Sequence, residues 1–159
     1  MTQQAALFSV DGYRMEDSVG YLLARSRALL AKSLDAALLE FDITHTQAGV
    51  VLLLASGKYA TAAELVREIY TDAASMTRML DRLQKRGLVE RVQHAGDRRQ
   101  VRLQLTAEGK ALATRMPPVM TAVLNAQFAG FSPEEIGFLK SLLRKMLHAG
   151  SPGDTPRAG

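Results

Sequence analysis

The chain of 159 residues contains no cysteine and no tryptophan, and its only histidines are His45, His94 and His148. Without cysteine there is no disulfide framework, no cysteine-ligated zinc site and no thiol-based redox switch. The three histidines are too far apart in sequence to form a ligand pair, so no metal site is predicted. We also find no nucleophile with a neighbouring base and no glycine-rich phosphate loop, which argues against an enzyme and against a bound cofactor.

Long hydrophobic runs are also missing. No apolar stretch approaches the roughly 18 residues that a membrane span requires, and the beginning of the sequence, MTQQAALFSVDGY, lacks the features of a secretory signal. We therefore expect a cytoplasmic protein. The length suits one domain, or one domain with an appended subdomain, and a hydrophobic content of 47% can supply a sizeable core.

Positive charge is concentrated in one part of the chain. The formal net charge is +4, from 20 lysines and arginines and 16 aspartates and glutamates. Residues 71–102 contain eight basic and four acidic residues, so the whole positive excess lies there and the rest of the chain is neutral. This concentration favours a polyanionic partner such as nucleic acid, whereas an ordinary solvated face is the alternative interpretation.

Helical periodicity and capping signals predict six helices. The first, from about Met15 to Leu39, has a long apolar stripe. Capping boxes predict that three others begin at Thr44, Thr61 and Ser132. The remaining two are predicted to begin at Thr71 or Asp72, and at Thr106, and Pro117-Pro118 should kink or interrupt the last of these.

The region between these helices predicts a winged helix-turn-helix. The helices Ala62–Ile69 and Asp72–Arg86 are separated by a short turn, and Gly87 suits the left-handed residue after a helix end. Two short strands follow, Leu88–Val92 and Val101–Leu105, joined by a loop that contains Gly96-Asp97. We therefore expect a mainly α fold with a small β-hairpin wing.

The second helix of the pair has the composition of a recognition helix. Its inward stripe is predicted to be Met76, Met79, Leu80 and Leu83. Small and polar residues at its beginning could approach base edges in the major groove, and basic residues further along could contact bases or phosphates. A small-residue face packed on a neighbouring helix is the alternative. The predicted DNA-contacting residues of this helix are Ala73, Ala74, Ser75, Thr77, Arg78, Arg82 and Lys85.

The hairpin supplies a second predicted contact. Its loop contains Asp97, Arg98 and Arg99. Arginine on a wing is favoured in the negative potential of the minor groove, and a neighbouring carboxylate can hold the guanidinium in place beforehand. The alternative is an exposed ion pair without a function. The chemistry alone does not decide whether Arg98 or Arg99 enters the groove.

Residues 61–110 resemble the winged helix-turn-helix of the MarR (multiple antibiotic resistance regulator) family. The resemblance is carried by Asp97-Arg98-Arg99 at the wing, by the strand end and helix start Leu105-Thr106-Ala107-Glu108-Gly109, and by the segment LDRLQKRGLVER. It implies that Arg99 is the minor-groove arginine and Asp97 the acid that orients it. The order of the flanking helices also matches, whereas Pro117-Pro118 departs from the family pattern and puts the spacing of the two DNA lobes of a dimer in question.

The resemblance also implies an organisation and a function. Residues 41–105 would form the DNA-binding lobe and 1–40 and 106–149 a dimerisation region, whereas for 150–159 the residues themselves, GSPGDTPRAG, predict a disordered tail. The protein would be a dimeric regulator of transcription that binds a pseudo-palindromic operator, most often a repressor released by a small phenolic or aromatic carboxylate ligand. A DNA-binding architectural protein without ligand control is the alternative, and titration with aromatic acids would distinguish the two.

Five residues are candidates for binding such a ligand. Two serines interrupt the apolar stripe of the first helix, two arginines flank the first serine, and a histidine in the first turn of the second helix could favour a carboxylate through helix N–H groups. The serines could instead bond a carbonyl one turn earlier, and the arginines could form surface or dimer ion pairs. These candidates are Arg25, Ser26, Arg27, Ser33 and His45.

Overall fold

The computed structural model describes residues 7–94 and 96–150, with the backbone alone at residues 94 and 97–100. Within these residues the chain is mainly helical and has one two-stranded antiparallel sheet, which confirms the predicted fold class. The elements in chain order are α1 (Val19–Leu38), α2 (His45–Ala55), α3 (Ala62–Ile69), α4 (Ala73–Lys85), β1 (Val89–His94), β2 (Asp97–Leu105), α5 (Ala107–Gln127) and α6 (Pro133–Ala149), with 3-10 turns at Met15–Asp17 and Leu39–Phe41.

The first helix begins later than its periodicity predicts. Met15–Asp17 forms a separate 3-10 turn, and α1 begins only at Val19. Ser18 is the physical reason, because its backbone is extended and its hydroxyl accepts a hydrogen bond from the N–H of Tyr21, 3.3 Å away. An N-cap of this kind starts a new helix and so separates α1 from the turn before it.

The other predicted helix starts are confirmed by their hydrogen bonds. Thr44, Thr61 and Ser132 each form a capping box with the residue three positions later, at the beginnings of α2, α3 and α6. In each box the hydroxyl and the N3 side chain satisfy two N–H groups that the helix leaves without a partner. Because these bonds join residues only three positions apart, the local sequence is sufficient to specify them.

The two wing strands are longer than predicted. β1 ends at His94 instead of Val92, and β2 begins at Asp97 instead of Val101. The pair nearest the wing tip is His94 with Asp97, on either side of the predicted loop. The register shifts between Gln93, which pairs with Val101, and His94, which pairs with Asp97, so the pairing near the tip is irregular and does not follow the apolar alternation of the sequence.

Leu88, predicted as the first residue of a strand, lies outside β1. Its N–H donates to the carbonyl of Leu83 at 3.0 Å, and its own carbonyl accepts from the N–H of Thr106 at 3.1 Å. The backbone of Leu88 therefore joins the end of α4 to the beginning of α5 instead of pairing in the sheet.

Of the two predicted effects of Pro117-Pro118 on the fifth helix, a kink or an interruption, the interruption is not found. α5 continues from Ala107 to Gln127 with Pro117 and Pro118 inside it. Prolines at these positions remove two N–H donors, but the preceding turn is anchored in the core, where Leu112 and Met116 are buried. This packing holds the helix together across the two missing bonds.

The chain divides between Leu124 and Asn125 into two compact units. The buried core lies in the first unit, where residues of α1, α2, α4, the wing and α5 pack together. In the second unit α6 has no buried residue, and the rings of Phe128 and Phe131 meet edge to face with their centroids 5.2 Å apart.

Over the described ranges, no single helix is long and apolar enough to cross a membrane, although Val19–Phe41 and His45–Ala55 together meet the length and composition across a 74° bend.

Candidate DNA interface

The α3–α4 pair forms the predicted helix-turn-helix. Tyr70 ends α3 in the left-handed conformation, and Asp72, rather than Thr71, caps α4. The inward stripe of α4 is as predicted: Met76, Leu80 and Leu83 are at most 2% exposed, and Met79 is half-buried. The core therefore fixes which face of α4 remains outside.

Most of the predicted contact residues of α4 lie on that outer face. Ser75 is the exception, because it is half-buried. Thr77 is exposed, but its hydroxyl donates to the carbonyl of Ala73 at 2.9 Å, which leaves the methyl group and the remaining lone pairs for a partner. The fully exposed members of the set are Ala73, Ala74, Thr77, Arg78, Arg82 and Lys85.

A chain of hydrogen bonds orients Arg78 at the beginning of α4. The Asp72 carboxylate accepts from the N–H of Ser75 through Oδ1 and from its hydroxyl through Oδ2, both at 2.7 Å. The Ser75 Oγ in turn accepts from Nη2 of Arg78 at 3.0 Å. The hydrogen bonds from the Ser75 hydroxyl and then from its N–H lower the pKa of Asp72, so this carboxylate is ionised at neutral pH. Ser75 therefore links Arg78 to Asp72, the residue that caps the helix.

The other basic residues of α4 surround a cavity of about 500 Å³ beside the α1–α2 connection. Arg82, Lys85 and Arg86 line it together with Asp35 and Asp42. Arg86 is already engaged, because its guanidinium donates to the carbonyls of Phe41 and Asp42. Arg82 and Lys85 lie in the C-terminal half of α4, away from the Asp72 end.

Arg91 connects the wing to the recognition helix, a role that sequence reasoning missed. From β1 its Nη2 lies 2.7 Å from Oδ1 of Asp81, and its Nη1 donates to Oε1 of Gln84. Asp81 and Gln84 are on α4, seven or more residues away in sequence. No local pattern signals such a pair, because it depends on how the hairpin lies against the helix.

The wing tip is described only in part. The backbone of Asp97, Arg98 and Arg99 belongs to β2, whereas the predicted pairing of the Asp97 carboxylate with Arg99 lies outside the described side chains. Arg102, further along β2 from the wing tip, has a described side chain. It is exposed and lies opposite Val92 of β1 in the sheet.

The five candidate ligand residues are not brought together into one pocket. Arg25 contacts Tyr21, with Nη1 2.9 Å from the phenol oxygen, and the Ser33 hydroxyl donates to the carbonyl of Leu29 at 3.2 Å. Ser26 and Arg27 are exposed on α1. The Ser33 bond is the alternative expected for a serine on this stripe that binds no ligand.

His45 contacts a carboxylate of the protein itself. Its backbone N–H donates to Oδ1 of Asp35 at 2.6 Å, and its Nδ1 lies 2.9 Å from the same oxygen. The bond from the His45 N–H is the main cause that lowers the pKa of Asp35. Asp35 thus occupies the helix N–H that a ligand carboxylate was predicted to bind.

A larger cavity, of about 800 Å³, lies between the end of α2, the base of the wing and the beginning of α5. Its lining is mainly apolar and includes the polar side chains of Tyr59, Arg102 and Lys110. A hydrogen bond with Glu68 is the main cause that raises the pKa of Tyr59. None of the five candidate ligand residues lines either of these two cavities. Among the described residues, no group of three histidine or acidic side chains could hold a metal ion.

The sequence and the structure of this chain were compared with those of known proteins. A sequence model of the MarR family matches residues 41–100. The multiple antibiotic resistance protein MarR of Escherichia coli is 32% identical over 107 residues, which cover 67% of this chain and 74% of that protein. A crystal structure of an E. coli MarR mutant complexed with operator DNA matches with a TM-score of 0.73 and 28% identity, covering 81% of this chain and 93% of that one.

A second solved structure is that of Bordetella bronchiseptica BpsR, whose DNA binding is regulated by 6-hydroxynicotinic acid. It matches with a TM-score of 0.75 and 29% identity, over 84% of this chain and 96% of BpsR. The helix-turn-helix, the wing and these relatives agree, and the chain belongs to the MarR family of DNA-binding transcriptional regulators.

Proposed function

We propose that this protein is a homodimeric repressor that binds a pseudo-palindromic operator and is released by a small phenolic or aromatic carboxylate ligand. The observation that carries the DNA part is the exposed beginning of α4, where Asp72 and Ser75 hold Arg78 in a defined orientation. An arginine oriented before binding loses less side-chain entropy when it meets a base or phosphate. A location in the cytoplasm follows from this function.

In the proposed complex α4 enters the major groove. Ala73, Ala74 and Thr77 are small enough to let the helix approach the base edges, and Arg78 reaches a guanine or a phosphate. Arg82 and Lys85, at the other end of α4, contact the DNA backbone. On the wing, Arg99, oriented by Asp97, enters the minor groove, and Arg98 lies beside it.

The DNA contacts can be tested by fluorescence anisotropy with a duplex from the region upstream of the protein's own coding sequence. Arg78→Ala should weaken binding and lower the slope of log affinity against log salt by about 1 for each phosphate that the protein no longer neutralises. Arg144→Ala, which removes an exposed charge from α6, is the matched control and should leave both unchanged. An Arg78→Ala protein that binds with wild-type affinity and slope would disprove the assignment of α4.

The wing is tested separately with Arg99→Ala and Arg98→Ala. We expect Arg99→Ala to cause the larger loss of affinity, most of all on duplexes with A·T base pairs under the wing, where the minor groove is narrow. Equal affinity of the wild type and Arg99→Ala would remove Arg99 from the interface, and a larger loss for Arg98→Ala would exchange the two roles.

Dimerisation is proposed because apolar side chains stay exposed on helices at both ends of the chain. On α1, Val19 and Leu22 are each 50% exposed. On α6, Phe138, Leu142 and Met146 lie one turn apart and are 72%, 64% and 48% exposed. An apolar stripe of this length is typical of a helix that packs on a partner.

Sedimentation equilibrium tests the dimer. Leu142→Lys should shift the protein towards monomer, because a charge would be buried in the interface, and should weaken operator binding. Ser141→Lys places the same charge on the neighbouring exposed position of α6 and should leave the mass unchanged. If Leu142→Lys remains as dimeric as the wild type, α6 does not form the interface. In this assembly residues 41–105 are the DNA-binding lobe and residues 1–40 and 106–149 form the dimer.

The ligand part of the proposal is supported by the 800 Å³ cavity, whose volume is in the range of small-molecule sites. Its apolar walls suit an aromatic ring, and Arg102 and Lys110 suit a carboxylate. The sequence candidates Arg25, Ser26, Arg27, Ser33 and His45 line neither cavity, so they are secondary candidates for ligand contact. An inducer must bind the DNA-incompetent conformation more tightly than the competent one.

Titration with salicylate, an aromatic carboxylate, separates the repressor from an architectural protein. A ligand-controlled regulator should lose operator affinity as salicylate is added, and Lys110→Gln should weaken this response without changing affinity in its absence. An architectural protein should bind DNA equally well at every salicylate concentration.

A further inference from the structure

Tyr70, in the turn between α3 and α4, combines an unfavourable backbone conformation with an exposed side chain. Its φ is 54° and its ψ 48°, in the left-handed region, which is unfavourable for a residue with a large side chain. Its side chain is nevertheless 69% exposed, so no packing of the ring accounts for a tyrosine there. Among the described residues, no side chain or backbone group forms a hydrogen bond with its hydroxyl.

The fold needs the backbone of this residue but not its side chain. The N–H of Tyr70 donates to the carbonyl of Val66 and so closes the end of α3. Glycine or asparagine at this position would make the same bond with less strain. A tyrosine therefore adds strain here that glycine would avoid, and strained residues of this kind cluster at functional sites.

The place of Tyr70 indicates what its side chain contacts. It precedes Asp72, the N-cap of α4, by two residues, and the N-terminal end of a recognition helix lies deepest in the major groove. The residue just before that end therefore lies beside the sugar-phosphate backbone that borders the groove. Tyrosine hydroxyls are among the groups that bind phosphate oxygens in protein–DNA complexes.

We propose that the Tyr70 hydroxyl donates a hydrogen bond to a DNA backbone phosphate beside the major groove, as a contact outside both the recognition helix and the wing. The proposal rests on the proposed function, since it assumes that α4 enters the major groove. The contact fixes the position of α4 on the duplex but reads no base. It is also uncharged, so it displaces no counterion from the DNA.

Because the contact is uncharged, its loss should lower DNA affinity without changing the salt dependence of binding. With a duplex that the wild type has selected from a random-sequence library, Tyr70→Phe should raise the Kd about ten-fold, as expected when a hydrogen bond to a charged group is removed. The slope of log affinity against log salt should stay at its wild-type value, because counterion release is unchanged. Tyr13→Phe, at a tyrosine that is 66% exposed in the N-terminal segment, is the matched control and should bind as the wild type does.

A second variant separates DNA contact from folding. Tyr70→Asn suits the left-handed conformation better, so its Tm should rise while its DNA affinity falls, a combination that a merely structural role does not give. If Tyr70→Phe and Tyr70→Asn both bind with wild-type affinity, the proposal is overturned, although DNA binding itself stands. If the wild type selects no duplex, or Arg78→Ala has no effect on the duplex it selects, then α4 is not the reader and both proposals fail.

Discussion

Gly109, in the first turn of α5, lies directly against the carbonyl of Leu88, a residue just beyond the end of the recognition helix. A Cβ on Gly109 would overlap the Leu88 carbonyl oxygen and come within 3.3 Å of Leu105. Thr106 completes the junction, because its hydroxyl donates to the carbonyl of Gly87 at 2.6 Å and accepts from the N–H of Gly109 at 3.0 Å. The Leu-Thr-x-x-Gly motif thus joins α5 to the end of α4.

Gly109→Ala should destabilise the protein by about 3 kcal/mol, the upper part of the usual range for overpacking, because the Leu88 carbonyl that a Cβ would meet is backbone and is held by its hydrogen bond with the N–H of Thr106. Urea denaturation measures the change. Gly137→Ala in α6, where a Cβ would meet nothing within 4 Å, is the matched control and should stabilise by about 0.5–1 kcal/mol through helix propensity. Similar effects of the two substitutions would contradict the close approach.

Removing the ion pair between Asp81 and Arg91 should loosen the wing. The two side chains are 57% and 33% exposed, so we expect a coupling free energy of about 0.5–1 kcal/mol. A double-mutant cycle of Asp81→Asn and Arg91→Gln measures it by urea denaturation, and the coupling should shrink at a salt concentration of about 1 M, where such a pair is screened. Strictly additive effects at low salt would show that the pair does not hold the wing on α4.

Asp35 should make stability depend on pH in the acid range. The hydrogen bond from the N–H of His45 lowers the pKa of Asp35 in the folded protein, so the folded state binds this proton less tightly than the unfolded state. Its stabilising effect is therefore fully present above the unfolded pKa of about 3.9 and is lost as the pH falls through the folded value. Asp35→Asn should lower the free energy of unfolding at neutral pH and approach the wild type in strong acid, at about pH 2. An equal difference at both pH values would rule out this linkage.

Pro117→Ala should stabilise α5 by about 1–3 kcal/mol, because it restores an N–H donor for the carbonyl of Ala113 and removes the ring from the helix interior. Urea denaturation and far-UV circular dichroism check the gain. Pro133→Ala is the matched control, since Pro133 lies in the first turn of α6, where an N–H has no partner within the helix. If Pro117→Ala stabilises the protein but weakens operator binding, the prolines set the spacing of the DNA lobes; a loss of stability would contradict the prediction.

Sequence reasoning succeeded where the determining contacts are local. The capping boxes at Thr44, Thr61 and Ser132 and the left-handed Gly87 were predicted because each depends on residues at most four positions apart. It failed at the start of α1, where periodicity continues past the Ser18 cap, and of the kink or interruption predicted at Pro117-Pro118 the interruption is not found. The length of the wing was also underestimated, because pairing near the tip does not follow the apolar pattern.

The helix pair, the hairpin and the concentration of positive charge follow from short-range patterns and composition, so the amino-acid sequence is enough to predict them. The contacts of Arg91 with Asp81, of Asp35 with the first N–H of α2 and of Gly109 with the Leu88 carbonyl depend on tertiary packing. These residues are ten or more positions apart in sequence. Asp35 and His45 meet because α1 packs against α2, and Arg91 and Asp81 meet because burial of Met76, Leu80 and Leu83 fixes how α4 lies against the wing.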